Sequence, residues 1–583
     1  MIRDKDFIKP IKKNDKINSK FITLDLECHG ITDSNNETNL VPFLVGLYNP
    51  NLKLAKTLDL TLNYQLHDAI RDHLLTYKYS GYIIYAHNLS TFDGIFILNQ
   101  LVKLSDLMVI NLEPLFRDSK LIEIKVSYGY NNKNKSFRYS IIFRDSMLMF
   151  LISLDKLSKT FLSDKPELQK DTNKGKTLLN TILYKSELEI NNILKNDNFI
   201  YEIKNYCMLD CISLWHVIDK FNFLIFERYQ LNIHNYPTLP SLAFAIFRGH
   251  FLIKNQINKI NEDLDKELRK SYTGGHVDLY HLYSNKESRL YDFTSLYPTA
   301  MTNNIFPTKL IDKFRGDPFK SGFSLDYLHN DNIRSFINCD IFVDRSINRP
   351  VYQTHMLINN QLRTVCGTGI FKNQLIFLPE LLKYQELSDN KIRIIDGSIT
   401  SGLRFKCEPI FNDFIYPLFK LKNSVPKSHP LYLISKLIMN SLYGRFGLRP
   451  ELHEFRILDN LLIDTIHLEN NLDDIIEFPD TNKSMLVINK NMDNLNISVA
   501  IASAITAYAR MIVAPILLDE SIKVLYTDTD SYVIEGDLST LLNGKYAHML
   551  HNELGGLKLE AIFSEFVSLA PKVYMTNIIL KCL

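Results

Sequence analysis

An acidic turn between two apolar runs constrains this chain more than any other feature. The segment Asp528-Thr529-Asp530 separates the apolar run 522–525 from a second apolar run, 532–534. This pattern predicts two strands joined by a tight turn. Two carboxylates confined to one small volume repel each other unless a cation lies there, and such oxygen ligands suit Mg²⁺, which also holds phosphates. The turn therefore predicts a phosphoryl-transfer site, although an Asp-x-Asp tripeptide is also common by chance.

A second strand-end aspartate lies far upstream. Asp292 ends the short apolar stretch 290–293, and residues 295–300 predict the start of a helix. Two strand-end aspartates from distant parts of a chain can meet across a sheet, and this arrangement holds two metal ions between attacking and leaving oxygens. The alternative interpretation is an aspartate in a turn or a helix cap.

A third segment predicts a helix with a polar face. Lys436, Asn440 and Tyr443 are spaced at i, i+4 and i+7, and they follow the apolar run 431–434. A cation, an amide and an aromatic ring on one face suit a nucleoside triphosphate, because the lysine can meet phosphates and the ring can pack on base or sugar. The alternative is an ordinary amphipathic helix with a snorkelling lysine.

In this order, the three segments resemble the A, B and C motifs of family B DNA polymerases. The resemblance rests on Ser295-Leu296-Tyr297-Pro298, on Asn440-Ser441-Leu442-Tyr443-Gly444 and on the acidic turn. It implies DNA-templated polymerisation of deoxynucleoside triphosphates on a primer–template. It also implies two Mg²⁺ ions, which Mn²⁺ could replace, held by Asp292, Asp528 and Asp530.

The same resemblance implies a nucleotide-binding set in which Tyr297 packs under the incoming sugar and Lys422 reaches the incoming phosphates. The members of this set are Tyr297, Lys422, Lys436, Asn440 and Tyr443.

The N-terminal part carries a second carboxylate set. An apolar strand, 21–26, carries Asp25 and ends at Glu27, Asp93 follows another apolar run, and Tyr206 and Asp210 lie on a predicted helix. Four carboxylates and a tyrosine from three segments can hold two metal ions and orient a water for hydrolysis.

These segments resemble the three motifs of 3′–5′ proofreading exonucleases of the ribonuclease-H-like fold. The resemblance implies that His87, Asn88 and Phe96 contact the single-stranded primer end, since bases stack on aromatic rings. A core aromatic is the alternative for Phe96. The family also uses a lysine between its second and third motifs, for which Lys165 is the candidate.

Three further segments resemble DNA-contacting motifs of the same polymerases. The first, between the two predicted domains, resembles a motif that contacts template near the domain junction. The second resembles a template-binding motif, and the third resembles one that contacts the primer terminus. Their candidate residues are Tyr272, Gly274 and Gly275, then Thr506 and Arg510, then Lys572 and Tyr574.

Two long intervals between the polymerase motifs resemble the insertions of protein-primed polymerases, which bind a terminal protein and encircle DNA. The second interval, 448–495, is rich in Asn and Asp and predicts irregular structure. Only nine residues follow Tyr574, so we expect the C-terminal thumb of these polymerases to be missing, and the alternative function is a truncated relic that binds nucleic acid without polymerising.

The expected architecture is a multidomain chain of α/β and α+β type, in which a ribonuclease-H-like exonuclease precedes a palm and fingers. The predicted boundaries are 1–230 for the exonuclease, 231–303 and 498–583 for the palm, 304–410 for the first insertion, 411–447 for the fingers and 448–497 for the second insertion.

Composition adds weaker constraints. The net charge is only +2, so any grip on DNA must come from local basic grooves. The seven cysteines lack zinc-ligand spacing, which indicates a reducing compartment. We expect that no apolar run approaches the length of a membrane span. Heavy use of Asn, Ile and Lys suggests an AT-rich genome, which favours a mitochondrial protein, with a cytoplasmic linear plasmid as the alternative.

Overall fold

The computed structural model describes residues 6–32, 38–61, 63–183, 185–449, 453–463, 472–489 and 496–581. Two seven-stranded sheets, a five-stranded sheet, a three-stranded sheet and one hairpin make up the β-structure of these residues.

The N-terminal sheet has the strand order β3-β2-β1-β4-β7-β6-β5, in which β4 runs parallel to both β1 and β7. Its strands are β1 Phe21–Thr32, β2 Thr38–Asn49, β3 Leu54–Asp59, β4 Ile83–Ala86, β5 Asn111–Arg117, β6 Lys120–Asn131 and β7 Ser136–Asp145. Its helices are α1 Leu66–His73, α2 Asp93–Leu107, α3 Met147–Phe150, α4 Leu154–Phe161, α5 Thr172–Asn180, α6 Glu187–Ile193 and α7 Asp197–Tyr229.

Alternation along β1 decides which side chains face which helices. Ile22 and Leu24 pack in the core that includes α1 and α2, whereas Phe21 stacks on Trp215 of α7 at 5.3 Å between ring centroids. Because successive strand side chains point to opposite faces, Asp25 and Glu27 share the α7 face with Phe21.

A second, antiparallel sheet has the strand order β24-β23-β10-β22-β21-β8, with β9 beside β23. Its strands are β8 Val277–Leu279, β9 Tyr283–Ser284, β10 Ser288–Phe293, β21 Val524–Asp528, β22 Ser531–Glu535, β23 Leu557–Ala570 and β24 Val573–Lys581. The helices associated with this part are α8 Leu239–His250, α9 Glu262–Leu268, α10 Leu296–Met301 and α14 Val499–Leu518.

Helix α14 corrects one expectation from the sequence. Its 20 residues have a mean hydropathy of 1.8, so by length and composition alone it could cross a membrane, and the expectation that no apolar run approaches a span is wrong. Within the protein, 78% of the apolar stretch of this helix is buried, and the helix packs against α10 and α11 as a core element.

The first long interval folds into an antiparallel sheet of order β11-β17-β12-β15, with β16 beside β12, and a separate β13–β14 hairpin. Its strands are β11 Phe306–Arg315, β12 Ile333–Val343, β13 Gln353–Ile358, β14 Gln361–Cys366, β15 Gly369–Phe377, β16 Ile392–Ile394 and β17 Ser401–Glu408, and its helix is α11 Leu378–Leu387.

Two antiparallel helices follow, α12 Asn412–Asn423 and α13 Pro430–Phe446. The second interval then forms a sheet of order β18-β20-β19, with β18 His453–Asp459, β19 Leu472–Glu477 and β20 Lys483–Asn489. The prediction of irregular structure is therefore wrong for these strands, although 450–452, 464–471 and 490–495 lie outside the described residues. The ring centroids of Phe455 in β18 and Phe116 in β5 are 5.0 Å apart, so this small sheet packs against the N-terminal sheet.

Candidate functional site

The second sheet brings the three predicted polymerase aspartates together. Asp292 lies on β10, paired with Ser531 of β22 on one side and Lys558 of β23 on the other. Asp528 ends β21, and the tight turn to β22 contains Asp530. The strand–turn–strand prediction is confirmed, and two distant segments of the chain meet at one end of the sheet.

Backbone contacts hold the acidic turn in a strained form. Thr529 has φ of 61°, which a β-branched residue rarely adopts, and its N–H donates to the His276 carbonyl at 2.7 Å. The Thr529 side chain lies 2.5 Å from where a Cβ on Gly275 would be. Gly275 therefore admits the turn itself, a role different from the DNA contact predicted for it, whereas Gly274 is exposed with open space around it.

The carboxylates at this end of the sheet repel each other. Burial, then the charges of Asp530 and Glu560, raise the pKa of Asp292 to about 7, and the pKa of Asp530 is also raised, mainly by burial. Burial and mutual repulsion disfavour the ionised carboxylates, and a bound cation would stabilise them. The donor set therefore fits a divalent metal. Glu560 was missed from the sequence, because only the pairing of β23 with β10 brings it near Asp292.

Asp528 has a different partner. Its carboxylate accepts hydrogen bonds from Lys572 Nζ at 2.9 and 3.0 Å and from the Tyr526 hydroxyl at 3.2 Å. The Tyr574 ring lies 5.6 Å from that of Tyr526. The structure thus brings the predicted primer-contacting pair, Lys572 and Tyr574, beside the acidic turn.

A cleft of about 790 Å³ separates the acidic end of the sheet from helices α12 and α13. Its floor holds Asp292 and Asp530, and its far wall carries three lysine side chains. Among its lining residues, Tyr297 and Tyr443 stack on each other with ring centroids 4.0 Å apart and ring planes 14° apart. The residues predicted to bind nucleotide all line this one cleft: Tyr297, Lys422, Lys436, Asn440 and Tyr443.

The far wall of the cleft is positively charged, and some of its polar groups are buried from solvent. Burial, and then the neighbouring charges of Lys436 and Lys427, lower the pKa of Lys422. The Oδ1 atom of Asn440 is buried without a hydrogen-bond partner. A wall of cations facing carboxylates across a cleft suits a phosphate chain that bridges them through metal ions.

The N-terminal carboxylates form a second acidic site, between β1 and α7. Burial is the main cause of their shifts: the pKa of Asp25 rises to about 7, and the pKa values of Glu27 and Asp93 rise well above their usual range. One oxygen each of Glu27 and Asp210 is buried without a hydrogen-bond partner. Unpartnered, closely spaced carboxylates fit divalent ions that supply the missing contacts.

The lysine of this acidic site is not the predicted one. Lys170 ion-pairs with Asp210 and lies 5.2 Å from the centre of the Tyr206 ring. Although burial opposes its charge, Asp210 and Asp25 raise the pKa of Lys170. Lys165 is exposed at the start of a short 3₁₀ turn, so its assignment is wrong. Spacing alone could not distinguish these two lysines.

The predicted primer-end residues have internal contacts. His87 bonds to the Ser146 hydroxyl through Nδ1 at 3.0 Å and to the Ile152 carbonyl through Nε2 at 3.1 Å. Burial lowers the pKa of His87 to about 4, so the ring is neutral at pH 7. The Asn88 side chain accepts from Thr91 at 2.6 Å. Phe96 packs edge-on against Phe92 at 5.5 Å and stays partly exposed.

Thr506 and Arg510 are buried in α14, so the predicted direct contact of their side chains with template is wrong. Arg510 instead donates to both carboxylate oxygens of Glu380, at 2.6 and 2.8 Å, and to the carbonyls of Thr273 and Gly274, both at 2.8 Å. Its role is to hold the segment that begins at Tyr272, because α14 is a core helix and leaves no surface at this position.

Similarity to known proteins supports the same interpretation as the geometry of these two sites. The family described as DNA polymerase type B, organellar and viral, matches residues 74–522. A probable DNA polymerase of Ascobolus immersus is 33% identical over 98% of this chain and 47% of its own length. One of Neurospora intermedia is 30% identical over 97% of this chain and 60% of its own length. The chain thus spans about half the length of the curated relatives it matches.

A solved structure of phi29 DNA polymerase, complexed with primer-template DNA and incoming nucleotide substrates, superposes with a TM-score of 0.64. It is 19% identical, and the match covers 96% of this chain and 88% of that one. At this identity the likeness concerns the fold, and it confirms the predicted multidomain architecture of α/β and α+β type.

Proposed function

Because the chain belongs to the organellar and viral type B DNA polymerases, we propose that it is a DNA-directed DNA polymerase with a 3′–5′ proofreading exonuclease. The observation that carries the proposal is the cleft in which Asp292 and Asp530 oppose Lys422 and Lys436. A triphosphate needs cations on one side and metal-binding carboxylates on the other, and this cleft provides both.

In the polymerase site, Asp292, Asp528 and Asp530 would hold two Mg²⁺ ions, or Mn²⁺, with Glu560 close by. Such ions, when bound, neutralise the phosphates and lower the barrier to attack by a primer 3′-oxygen. Lys422 and Lys436 bind and orient the phosphate chain. Tyr297, which is fixed by its stack on Tyr443, bounds the sugar pocket.

Two further groups of residues would guide DNA to this site. Lys572 exchanges its ion pair with Asp528 for contact with the primer terminus, and Tyr574 packs beside it. Exposed Gly274 lets backbone approach the template, while Arg510 fixes the segment from inside.

In the exonuclease site, Asp25, Glu27, Asp93 and Asp210 would hold the ions that activate a hydrolytic water. Tyr206 orients that water, and Lys170 positions Asp210 and offsets part of the negative charge. Phe96 offers a partly exposed ring to the frayed primer end.

The proposed domains are the exonuclease at 1–230, the palm at 231–303 and 498–583, and the fingers at 411–447, with insertions at 304–410 and 448–497. Partners would be a DNA primer–template, deoxynucleoside triphosphates and a terminal protein that primes synthesis. The proposed location is a mitochondrion, which is consistent with the family description as organellar and viral, and a cytoplasmic linear plasmid is the alternative.

The experiment is primer extension and mismatch trimming with Mg²⁺ by paired variants. Asp530→Asn should abolish extension while single-strand degradation continues. The double change Asp25→Ala with Glu27→Ala should stop trimming while extension continues, because the two carboxylate sets lie on different sheets. Extension near the parent level by Asp530→Asn, or trimming by the double variant, would refute the respective assignment.

A further inference from the structure

A buried thiol lies inside the N-terminal acidic site. Cys207 follows Tyr206 on α7, is completely buried, and has Sγ 3.8 Å from the Asp25 backbone carbonyl. One ligand atom each from Cys207, Asp25 and Glu27 lies within 4.8 Å of the other two. The proposed hydrolysis does not use this sulfur atom.

A second observation favours a cation at this cluster. Glu27 is 4% exposed, and its Oε1 has no hydrogen-bond partner. A buried carboxylate oxygen without a partner is costly, and a bound metal ion would satisfy it. In a tetrahedral zinc site, ligand atoms stand roughly 3.5 Å apart, so rotations of the Asp25 and Glu27 side chains toward the sulfur would close this cluster around one ion.

The neighbourhood of Cys207 keeps the sulfur in this position. Gly46 of β2 has no side chain, and a Cβ there would lie 2.8 Å from Cys207 Sγ and 2.9 Å from Cys211 Sγ. Cys211 lies one helical turn further along and is equally buried. It is outside the three-residue ligand group but hydrogen-bonds to the Cys207 thiol, so Cys211→Ser serves as a control that keeps a polar partner for that thiol.

We propose that Cys207, Asp25 and Glu27 form a mixed thiolate–carboxylate site for a thiophilic divalent cation of the Zn²⁺ class. Carboxylates alone favour hard ions such as Mg²⁺, whereas one thiolate ligand shifts preference toward zinc. The thiol loses its proton to solvent when the metal binds. The inference rests on the proposed exonuclease in one respect: a zinc ion held here occupies Asp25 and Glu27 and competes with the ions of hydrolysis.

The direct test titrates the full-length chain with Cd²⁺ and follows the ultraviolet charge-transfer absorption of a cadmium–thiolate bond. The parent protein and Cys211→Ser should both show the band. Cys207→Ser, which keeps the size of the side chain, should lose the corresponding one-equivalent component. No band in the parent, or an unchanged band in Cys207→Ser, would overturn the proposal.

A second measurement separates this inference from the proposed function. At fixed Mg²⁺, the Zn²⁺ concentration that halves trimming should be at least about tenfold higher for Cys207→Ser than for Cys211→Ser. Equal zinc sensitivity overturns the thiolate site and leaves the exonuclease intact. A chain that shows the cadmium band yet never trims DNA retains the metal site and loses the exonuclease assignment.

Discussion

Arg510 of α14 and Glu380 of α11 form a buried, doubly hydrogen-bonded ion pair, with distances of 2.6 and 2.8 Å and each residue 4% exposed. The same guanidinium donates to two carbonyls of the segment that begins at Tyr272. This ion pair thus connects the core helix α14 to the segment predicted to approach template.

Removing one partner of this pair should destabilise the protein strongly. Glu380→Gln leaves Arg510 charged and buried, and we expect a loss of about 3–5 kcal/mol in the free energy of unfolding. Urea denaturation measures this loss. On the same helix, Glu386→Gln breaks the exposed Lys383–Glu386 pair and should cost less than about 1 kcal/mol. Similar losses for the two variants would contradict the structural role of the buried pair.

Lys165 and Lys170 test whether position in the fold or spacing in the sequence decides which lysine serves the proposed exonuclease site. Lys170→Ala removes the cation that pairs with Asp210, so trimming of a mismatched primer should fall by at least about tenfold. Exposed Lys165 is five residues away and should tolerate alanine without effect. A gel assay of trimming compares both with the parent. Equal trimming by the two variants would refute the assignment of Lys170 to this site.

Sugar selection should depend on Tyr297. Its ring is stacked on Tyr443 in the cleft that also holds Asp292, and a ring there would exclude a 2′-hydroxyl. Tyr297→Val should raise incorporation of ribonucleotides relative to deoxynucleotides by about tenfold or more. Tyr443→Phe keeps the stack and serves as the control.

Two outcomes would count against this assignment of Tyr297. A folded Tyr297→Val protein with unchanged discrimination would mean that the ring does not bound the sugar pocket. A variant that loses stability and all activity together would mark Tyr297 as a core aromatic.

The sequence predicts those contacts of this site that form within one short segment. It does not predict contacts that form only when distant strands pair. Strand–turn–strand geometry around Asp530 is encoded locally, so the sequence predicts it. Glu560 reaches Asp292 only through the pairing of β23 with β10, and nothing in its own segment marks it. The burial of Arg510 likewise depends on α14 being a core helix, which residue type alone does not reveal.

The same distinction applies to larger elements. The Asn- and Asp-rich composition of 448–495 does not indicate its three short strands. These strands are stabilised by pairing with one another and by packing of Phe455 on Phe116, which composition does not reveal. Lys170, which precedes α5, enters the proposed exonuclease site because α5 packs tightly on α7, where a Cβ on Gly175 would collide with the Tyr206 ring. Neither contact has a local sequence signal.

Metal-free stability should fall with rising pH because of Asp292. Its pKa of about 7 in the folded protein exceeds the ordinary value of 3.8, so the folded state holds an extra proton between these values. That contribution to stability is complete below about pH 4 and is lost as pH rises through about 7. Asp292→Asn cannot ionise, so with a chelator present its thermal midpoint should exceed that of the parent at pH 8, and the gap should narrow toward pH 5.

Added Mg²⁺ should reverse this order, because the ionised parent gains a metal ligand that the asparagine variant lacks. Thermal unfolding at pH 5 and pH 8, each with chelator and with Mg²⁺, measures both effects. The exposed Asp263 of α9 supplies a control, since Asp263→Asn should leave the midpoint unchanged under all four conditions. If the parent and Asp292→Asn differ by the same amount at both pH values, the carboxyl is not protonated in the folded metal-free protein, and the electrostatic basis of the metal site fails.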